Sequence, residues 1–265
     1  MNASRQRRIG VFIALALATA IIPAGCRWFE PRTPEQQRAH RMAAELVQAL
    51  GGRDAFEAIR FLRFDFVVYE AQRPLVRRVH IWDRHTGRYR LETRLDDERP
   101  LVVVFDLDRR QGRAFAGYDM EPDPDSPERV EQAYDWHVND TNWLLSVTKL
   151  REPGANLTYI GETPFEGRMM PTLALSFEPA PGPAAQKDPC WFYIDSRTHR
   201  PVAWSFTPNG RRVEPITFSW HQWQPVGNPP FELPTRFRMK GGTRRIAIEN
   251  LYAPDQVAGR MFVAP

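Results

Sequence analysis

Cys26 is the residue whose chemistry is easiest to name. It closes the stretch Ile21-Ile22-Pro23-Ala24-Gly25-Cys26, after a start built from Arg5, Arg7 and Arg8 and an uncharged run of 14 residues from Ile9 to Ile22. A basic start, a short apolar middle and small residues at the exit are the parts of a secretory signal. The run is too short to span a membrane, since crossing about 30 Å of hydrocarbon takes roughly 20 helical residues. A cysteine at this exit is a candidate point of attachment to a membrane. Two other fates stay open: cleavage after Ala18-Thr19-Ala20 would leave a soluble protein beginning at Ile21, and Cys26 could be an ordinary buried thiol. The chain has one further cysteine, Cys190, in an apolar Cys-Trp-Phe-Tyr-Ile segment. Exported cysteines tend to pair, yet with Cys26 acylated only Cys190 remains, read as a small buried hydrophobe.

Other chemistry is sparse. The six histidines, His40, His80, His85, His137, His199 and His221, form no H-x-x-x-H pair, so no helical face presents two imidazoles to a metal. His85 and His199 fall in turn-like stretches, Asp83 to Gly87 and Asp195 to His199. Neither a metal nor a cofactor is expected. Asp106 and Asp108, two apart on a predicted strand, share a face and would be the acids of a hydrolase; with no partner base they read as a solvated face, and the chain is read as non-enzymatic. The most distinctive segment, His137 to Gly161, has two readings. In one, Lys149 meets an anionic head group while Trp143, Leu144 and Leu145 contact a chain. In the other, which takes precedence, Asn139 and Asp140 cap or turn the backbone, Trp143 packs in the core and Glu152-Pro153-Gly154 turns.

Charge narrows the partners. Removing residues 1–25 takes away three arginines and no acid, and the net charge falls from +4 to +1. The remaining charges alternate in sign without a basic block, which excludes nucleic acid. The chain carries 16 Phe, 8 Trp and 7 Tyr, and only Phe12 lies in the signal. These large apolar groups need a core or a ligand. A chain of this size makes one domain, taken as a monomer.

The elements that must position these residues follow from periodicity. Thr33-Pro34-Glu35-Gln36 reads as an N-cap, a first-turn proline and a capping-box glutamine; Ala39, Met42, Ala43, Leu46 and Leu50 recur at helical spacing, and Gly51-Gly52 stops the helix. A short helix is predicted at 54–59. The period then becomes two: Leu62, Phe64, Phe66 and Val68, and later Tyr89, Leu91 and Leu95, alternate mainly with polar residues, as in antiparallel strands. His85-Thr86-Gly87 joins two of them as a hairpin. Further strands are predicted at 74–83, 101–107, 112–118, 156–161, 171–178, 190–195, 201–207, 213–223, 231–240 and 243–251. The proline-rich segments 119–127 and 179–189 read as loops, the first leading to a helix from Glu128 to about Leu145. A sheet this wide curls.

Several of these segments also carry a family resemblance. Gly51-Gly52, the Trp82 to Arg90 hairpin, the His137 to Gly161 segment, the Tyr193 to His199 hairpin and the closing Asn250-Leu251-Tyr252 to Pro265 resemble bacterial proteins related to outer-membrane lipoprotein-sorting factors, the LolA/LolB-like group. Ile22 to Cys26 resembles a lipobox, with Pro23 where an aliphatic residue is usual. The resemblance implies an α+β fold dominated by antiparallel β: a strongly curved incomplete barrel of about 10–12 strands, with N-terminal and mid-chain helices over its concave face. The organisation it implies is a signal peptide at 1–25, a tether at 26–32 and the half-barrel at 33–265. Cys26 would carry acyl chains such as palmitate. Arg27, standing where aspartate marks inner-membrane retention in some bacteria, points to the outer membrane facing the periplasm, soluble periplasmic export being the alternative. The implied function is to hold a hydrophobic ligand, an acyl chain, lipid or lipoprotein, in a cavity lined by Phe64, Phe66, Tyr89, Leu91, Trp143, Phe218, Trp220, Phe237 and Met239. Periodicity fits equally a packed interior in a structural or interaction protein, so both readings stand.

Overall fold

The computed structural model describes residues 33–177, 189–207 and 214–265. Cys26, the signal and most of the 179–189 segment lie outside the described residues. Thr33–Pro265 forms one compact unit.

Helix α1 (Pro34–Ala49) begins as its sequence requires. The Thr33 hydroxyl accepts from the Gln36 N–H at 3.2 Å, and the Gln36 side-chain oxygen accepts from the Thr33 N–H at 2.9 Å. Two donors that a helix start leaves over are thereby paired. Ala39, Ala43, Leu46 and Val47 form its buried stripe. The stop at Gly51 is steric: φ is +120°, and a Cβ there would lie 2.3 Å from the Pro230 carbonyl oxygen. Only glycine fits. Helix α2 (Arg53–Ala58) follows.

The first meander comprises β1 (Phe61–Glu70), β2 (Arg73–Asp83), β3 (Arg88–Arg94), β4 (Pro100–Asp106), β5 (Gln111–Ala116) and β6 (Glu121–Pro122). After α3 (Ser126–Lys149) comes a second: β7 (Ala155–Phe165), β8 (Arg168–Phe177), β9 (Cys190–Ile194), β10 (Pro201–Phe206), β11 (Ile216–Val226), β12 (Phe231–Met239) and β13 (Arg244–Tyr252). Among the described residues these make one 13-stranded sheet in the order β6-β5-β4-β3-β2-β1-β13-β12-β11-β10-β9-β8-β7. The pairings are antiparallel, and the seam between the meanders is β1 against β13. The sheet is curved and unclosed.

This order explains α3. It connects the two edges, β6 and β7, and its 24 residues span about 36 Å at 1.5 Å each. Thirteen flat strands would put those edges about 58 Å apart at roughly 4.8 Å per spacing. The sheet must therefore curl beneath the helix. Contacts move across the strands along α3: the Ser126 hydroxyl accepts from the Ala114 N–H of β5 at 3.0 Å, Val130 and Ala133 pack with Leu91, Leu101 and Val103 of β3 and β4, Asp140 meets β2 and Trp143 reaches β10, β11 and β12.

Three expectations need correction. Residues 119–127 are more than a loop: Glu121 and Pro122 pair with Ala116 and Phe115 at the sheet edge, where proline's missing donor costs no ladder bond. Helix α3, at Ser126–Lys149, is longer at both ends than 128–145, and Asn139 and Asp140 continue it instead of capping or turning it. Asp108 lies beyond the end of β4, and Asp106 caps the turn there, accepting from the N–H groups of Asp108 at 3.1 Å and Arg109 at 2.8 Å.

Candidate functional site

The face of the sheet under α3 gathers the predicted lining residues. Along β1, Leu62, Phe64 and Phe66 turn inward, and with Phe218, Trp220, Phe237 and Trp143 they belong to the main core; Met239 packs against it. Tyr89 and Leu91 fall in a neighbouring cluster with Val103, Phe105, Val130 and Ala133. Trp143 is the hub of the first group: its ring centroid lies 4.7 Å from that of Phe218, 5.0 Å from Trp204, 5.5 Å from Phe237 and 5.7 Å from Phe206, in edge-on contacts. Such contacts match the positive ring edge to a negative face.

Between the two clusters runs a buried polar chain. Arg78 of β2 holds Asp140 of α3 with a fork, Nε to Oδ2 at 2.6 Å and Nη2 to Oδ1 at 2.7 Å. The amide of Asn139 donates to the same Oδ1 at 2.8 Å. His80, two residues along β2, lies 3.0 Å through Nε2 from Asp140 Oδ2 and 2.8 Å through Nδ1 from the Tyr89 hydroxyl. The network itself assigns the tautomer: Nε2–H donates to the carboxylate and Nδ1 accepts from tyrosine. Phe64 stacks on the imidazole at 4.4 Å between centroids.

Burial sets the charges. His80 is fully enclosed, and desolvation drives its pKa below the ordinary value against the pull of Asp140. His137, one helical turn before Asp140, is pushed down to about 3 by burial and then by its neighbour His80. Burial alone would raise Asp140, but the hydrogen bonds from Arg78 and His80 outweigh it and hold the carboxyl below its usual range. Tyr89 is raised well above its ordinary value by burial, with Asp140 adding to the effect. The chain is thus one ion pair flanked by neutral groups. Both nitrogens of His80 are engaged and His80, Tyr89 and Asp140 are each 0% exposed, so no position is open to a substrate. Its role is to join α3 to the sheet.

The remaining predicted group, Lys149, lies in the last turn of α3 and donates to Asn142 Oδ1 at 2.9 Å. Burial pulls its pKa below the ordinary value. Cys190 is buried at the start of β9. Among the described residues, no group of three His, Cys, Asp or Glu side chains is placed to hold a metal, and no helix is long and apolar enough to cross a membrane.

The aromatic interior also holds unsatisfied donors. The indole N–H groups of Trp82, Trp204 and Trp220 are buried without an acceptor among the described residues. Periodicity placed Trp220 inside; it could not show that the ring nitrogen lacks a partner. Arg78, His80 and Asp140 were missed as well, though a signal existed. Arg78 and His80 stand in phase with Trp82 on β2, opposite Phe66 and Phe64 of β1, and Asp140 lies one helical turn from both Trp136 and Trp143. Ionisable groups in the apolar phase of two elements are candidates for pairing with each other.

No protein-family model matches this chain, and no curated protein matches its sequence. Solved structures do. A DUF1329 family protein from Desulfovibrio piger is similar over 87% of this chain and 98% of its own at 10% identity, with a TM-score of 0.48. A LolA superfamily protein from Nitrosomonas europaea gives the same coverage, identity and TM-score. The Mycobacterium tuberculosis lipoprotein LppX covers 82% of this chain and 98% of its own at 13% identity, with a TM-score of 0.31.

Proposed function

We propose that this is an envelope protein, anchored by acyl chains on Cys26 and facing the periplasm from the outer membrane, that binds a hydrophobic ligand between α3 and the aromatic face of the half-barrel. One observation carries the ligand reading: the buried indole N–H groups of Trp82, Trp204 and Trp220 have no acceptor among the described residues. A buried donor left unmade costs about 1–3 kcal/mol, and a core selected only for packing would carry phenylalanine there. An acyl chain supplies what the site lacks, methylenes worth on the order of 0.8 kcal/mol each for the rings and a carbonyl oxygen for an indole N–H. Because Trp143 occupies the middle of the aromatic bed, ligand entry displaces that ring.

The close packing around Trp143 favours a second reading, a scaffold whose interior is permanently filled. Native mass spectrometry of Arg27–Pro265, which contains the whole compact unit, separates the two. Under the first reading, gently purified protein carries lipid, and Trp220→Phe weakens its retention without loss of stability. Protein that never carries lipid, together with a Trp220→Phe variant destabilised by the lost volume, would establish the scaffold instead. The anchor has its own test: labelled palmitate enters the wild type and not Cys26→Ser, and labelling that survives the substitution removes the assignment.

A further inference from the structure

Two arginines of α1 stand in an open cleft with no carboxylate between them. Arg38 and Arg41 are three residues apart, which makes them neighbours on the helix surface, and both are exposed. Arg38 lays its guanidinium on the Tyr159 ring of β7, 3.8 Å from the centroid. Among the described residues, no carboxylate pairs with either cation. The cleft they line runs from α1 to the turn between β9 and β10, where Ser196 is exposed, and Met42, Pro171 and Ile194 are its apolar residues. The one carboxylate in its lining, Glu45, lies 3.4 Å from Nδ1 of His199 in that turn. Met169 extends the apolar side: two residues before Pro171 on β8, it shares that face of the strand and is 57% exposed.

We propose that this cleft docks the protein on a membrane by taking the phosphate of an anionic phospholipid on Arg38 and Arg41. Guanidinium suits phosphate because its N–H donors form a planar fork that meets two oxygens at once. Both side chains are exposed, so a head group reaches them from solvent. Met42, Pro171 and Met169 offer apolar contact to the glycerol and the first methylenes beyond the phosphate. The choice of a membrane over a free phosphate rests on the acyl anchor proposed at Cys26. Thr33 follows Cys26 by seven residues, a span of at most about 25 Å, and Arg38 comes within the first two turns of α1. An anchored chain therefore keeps these arginines near head groups, where each strengthens attachment to an anionic surface about fivefold.

Vesicle flotation of Arg27–Pro265 separates docking from anchoring, since this chain lacks Cys26 and carries no acyl group there. It floats with phosphatidylcholine vesicles containing about 30% phosphatidylglycerol, and partitions into pure phosphatidylcholine vesicles roughly tenfold or more weakly. Arg38→Gln and Arg41→Gln each lower partition into the anionic vesicles about fivefold. Arg73→Gln, which removes the same charge from an exposed position on β2, leaves it unchanged. Equal partition into neutral vesicles, wild-type partition in both Arg38→Gln and Arg41→Gln, or an equal loss in Arg73→Gln would overturn the proposal. Calorimetric titration with inorganic phosphate tests the other source: saturable binding that Arg41→Gln abolishes, without vesicle partition, would make the cleft a site for soluble phosphate and overturn membrane docking. Palmitate labelling tests the anchor by itself, so its failure leaves the vesicle result standing.

Discussion

Replacing Asp140 by alanine tests the polar chain most directly. The change leaves Arg78, only 9% exposed, as a cation without its carboxylate, and strips Nε, Nη2 and the His80 Nε2–H of their acceptor. Breaking a buried pair from one side typically costs about 3–5 kcal/mol, because the remaining charge stays desolvated. For a domain of this size 1 kcal/mol moves the melting temperature by roughly 2–4 °C, so Asp140→Ala melts about 6–20 °C below wild type. Urea denaturation gives the free energy, and an unchanged m-value shows that the same two states are compared. Asp140→Asn keeps the shape and some acceptor capacity but loses the charge, and falls between the two. Replacing both partners, Arg78→Met with Asp140→Leu, removes the orphaned charge and recovers most of the loss. A cost below about 1 kcal/mol for Asp140→Ala, or a double variant no better than that single one, would refute the view that this ion pair fastens α3 to the sheet.

Acid should loosen the same region. His80 and His137 are held below their ordinary pKa, so the unfolded chain takes up protons first as the pH drops; stability is flat above about pH 6.5 and falls below it. Each such imidazole contributes a slope of about 1.4 kcal/mol per pH unit, until the pH nears its folded pKa; burial lowers His221 as well, so His137→Phe removes one of three contributions from the slope in urea titrations between pH 7 and 5. An unaltered slope would contradict the burial of His137. Gly51→Ala meets both a positive φ and the Pro230 carbonyl oxygen, and its loss in chemical denaturation should exceed about 1 kcal/mol. Trp143→Ala opens the centre of the aromatic group and should cost about 3–5 kcal/mol, whereas Trp143→Phe costs less; equal losses would mean that the centre collapses to fill the space.

Local rules reach far in this chain. The capping box at Thr33, the glycine stop at Gly51 and the hairpin at His85 to Gly87 depend on neighbours within a few residues, and each forms as its sequence predicts. Strand positions other than the two-residue β6 followed from the period of two, to within a few residues at their ends. The inward faces were legible for the same reason: alternation decides which side of a strand faces inward, and Phe64, Phe66, Tyr89 and Leu91 are buried in the clusters packed with α3. Errors arose where a residue's partner is distant or where a local motif offered an easier explanation. Asp140 looked like a cap because Asn139 and Thr141 adjoin it. Its actual partner is Arg78, 62 positions earlier, and no local preference could name it.

The sequence by itself determined the helices, the strands and their inward faces, because capping, steric stops and side-chain alternation act within a few residues. Tertiary structure alone decided that the two meanders meet at β1 and β13 and that a 24-residue helix must bridge the outer edges of the curled sheet. The same closure brings Arg78, His80, Tyr89 and Asp140 together and buries three indole N–H groups without acceptors among the described residues. Burial, and with it every pKa shift and every orphaned donor, belongs to the space between elements. That space exists only once they have packed.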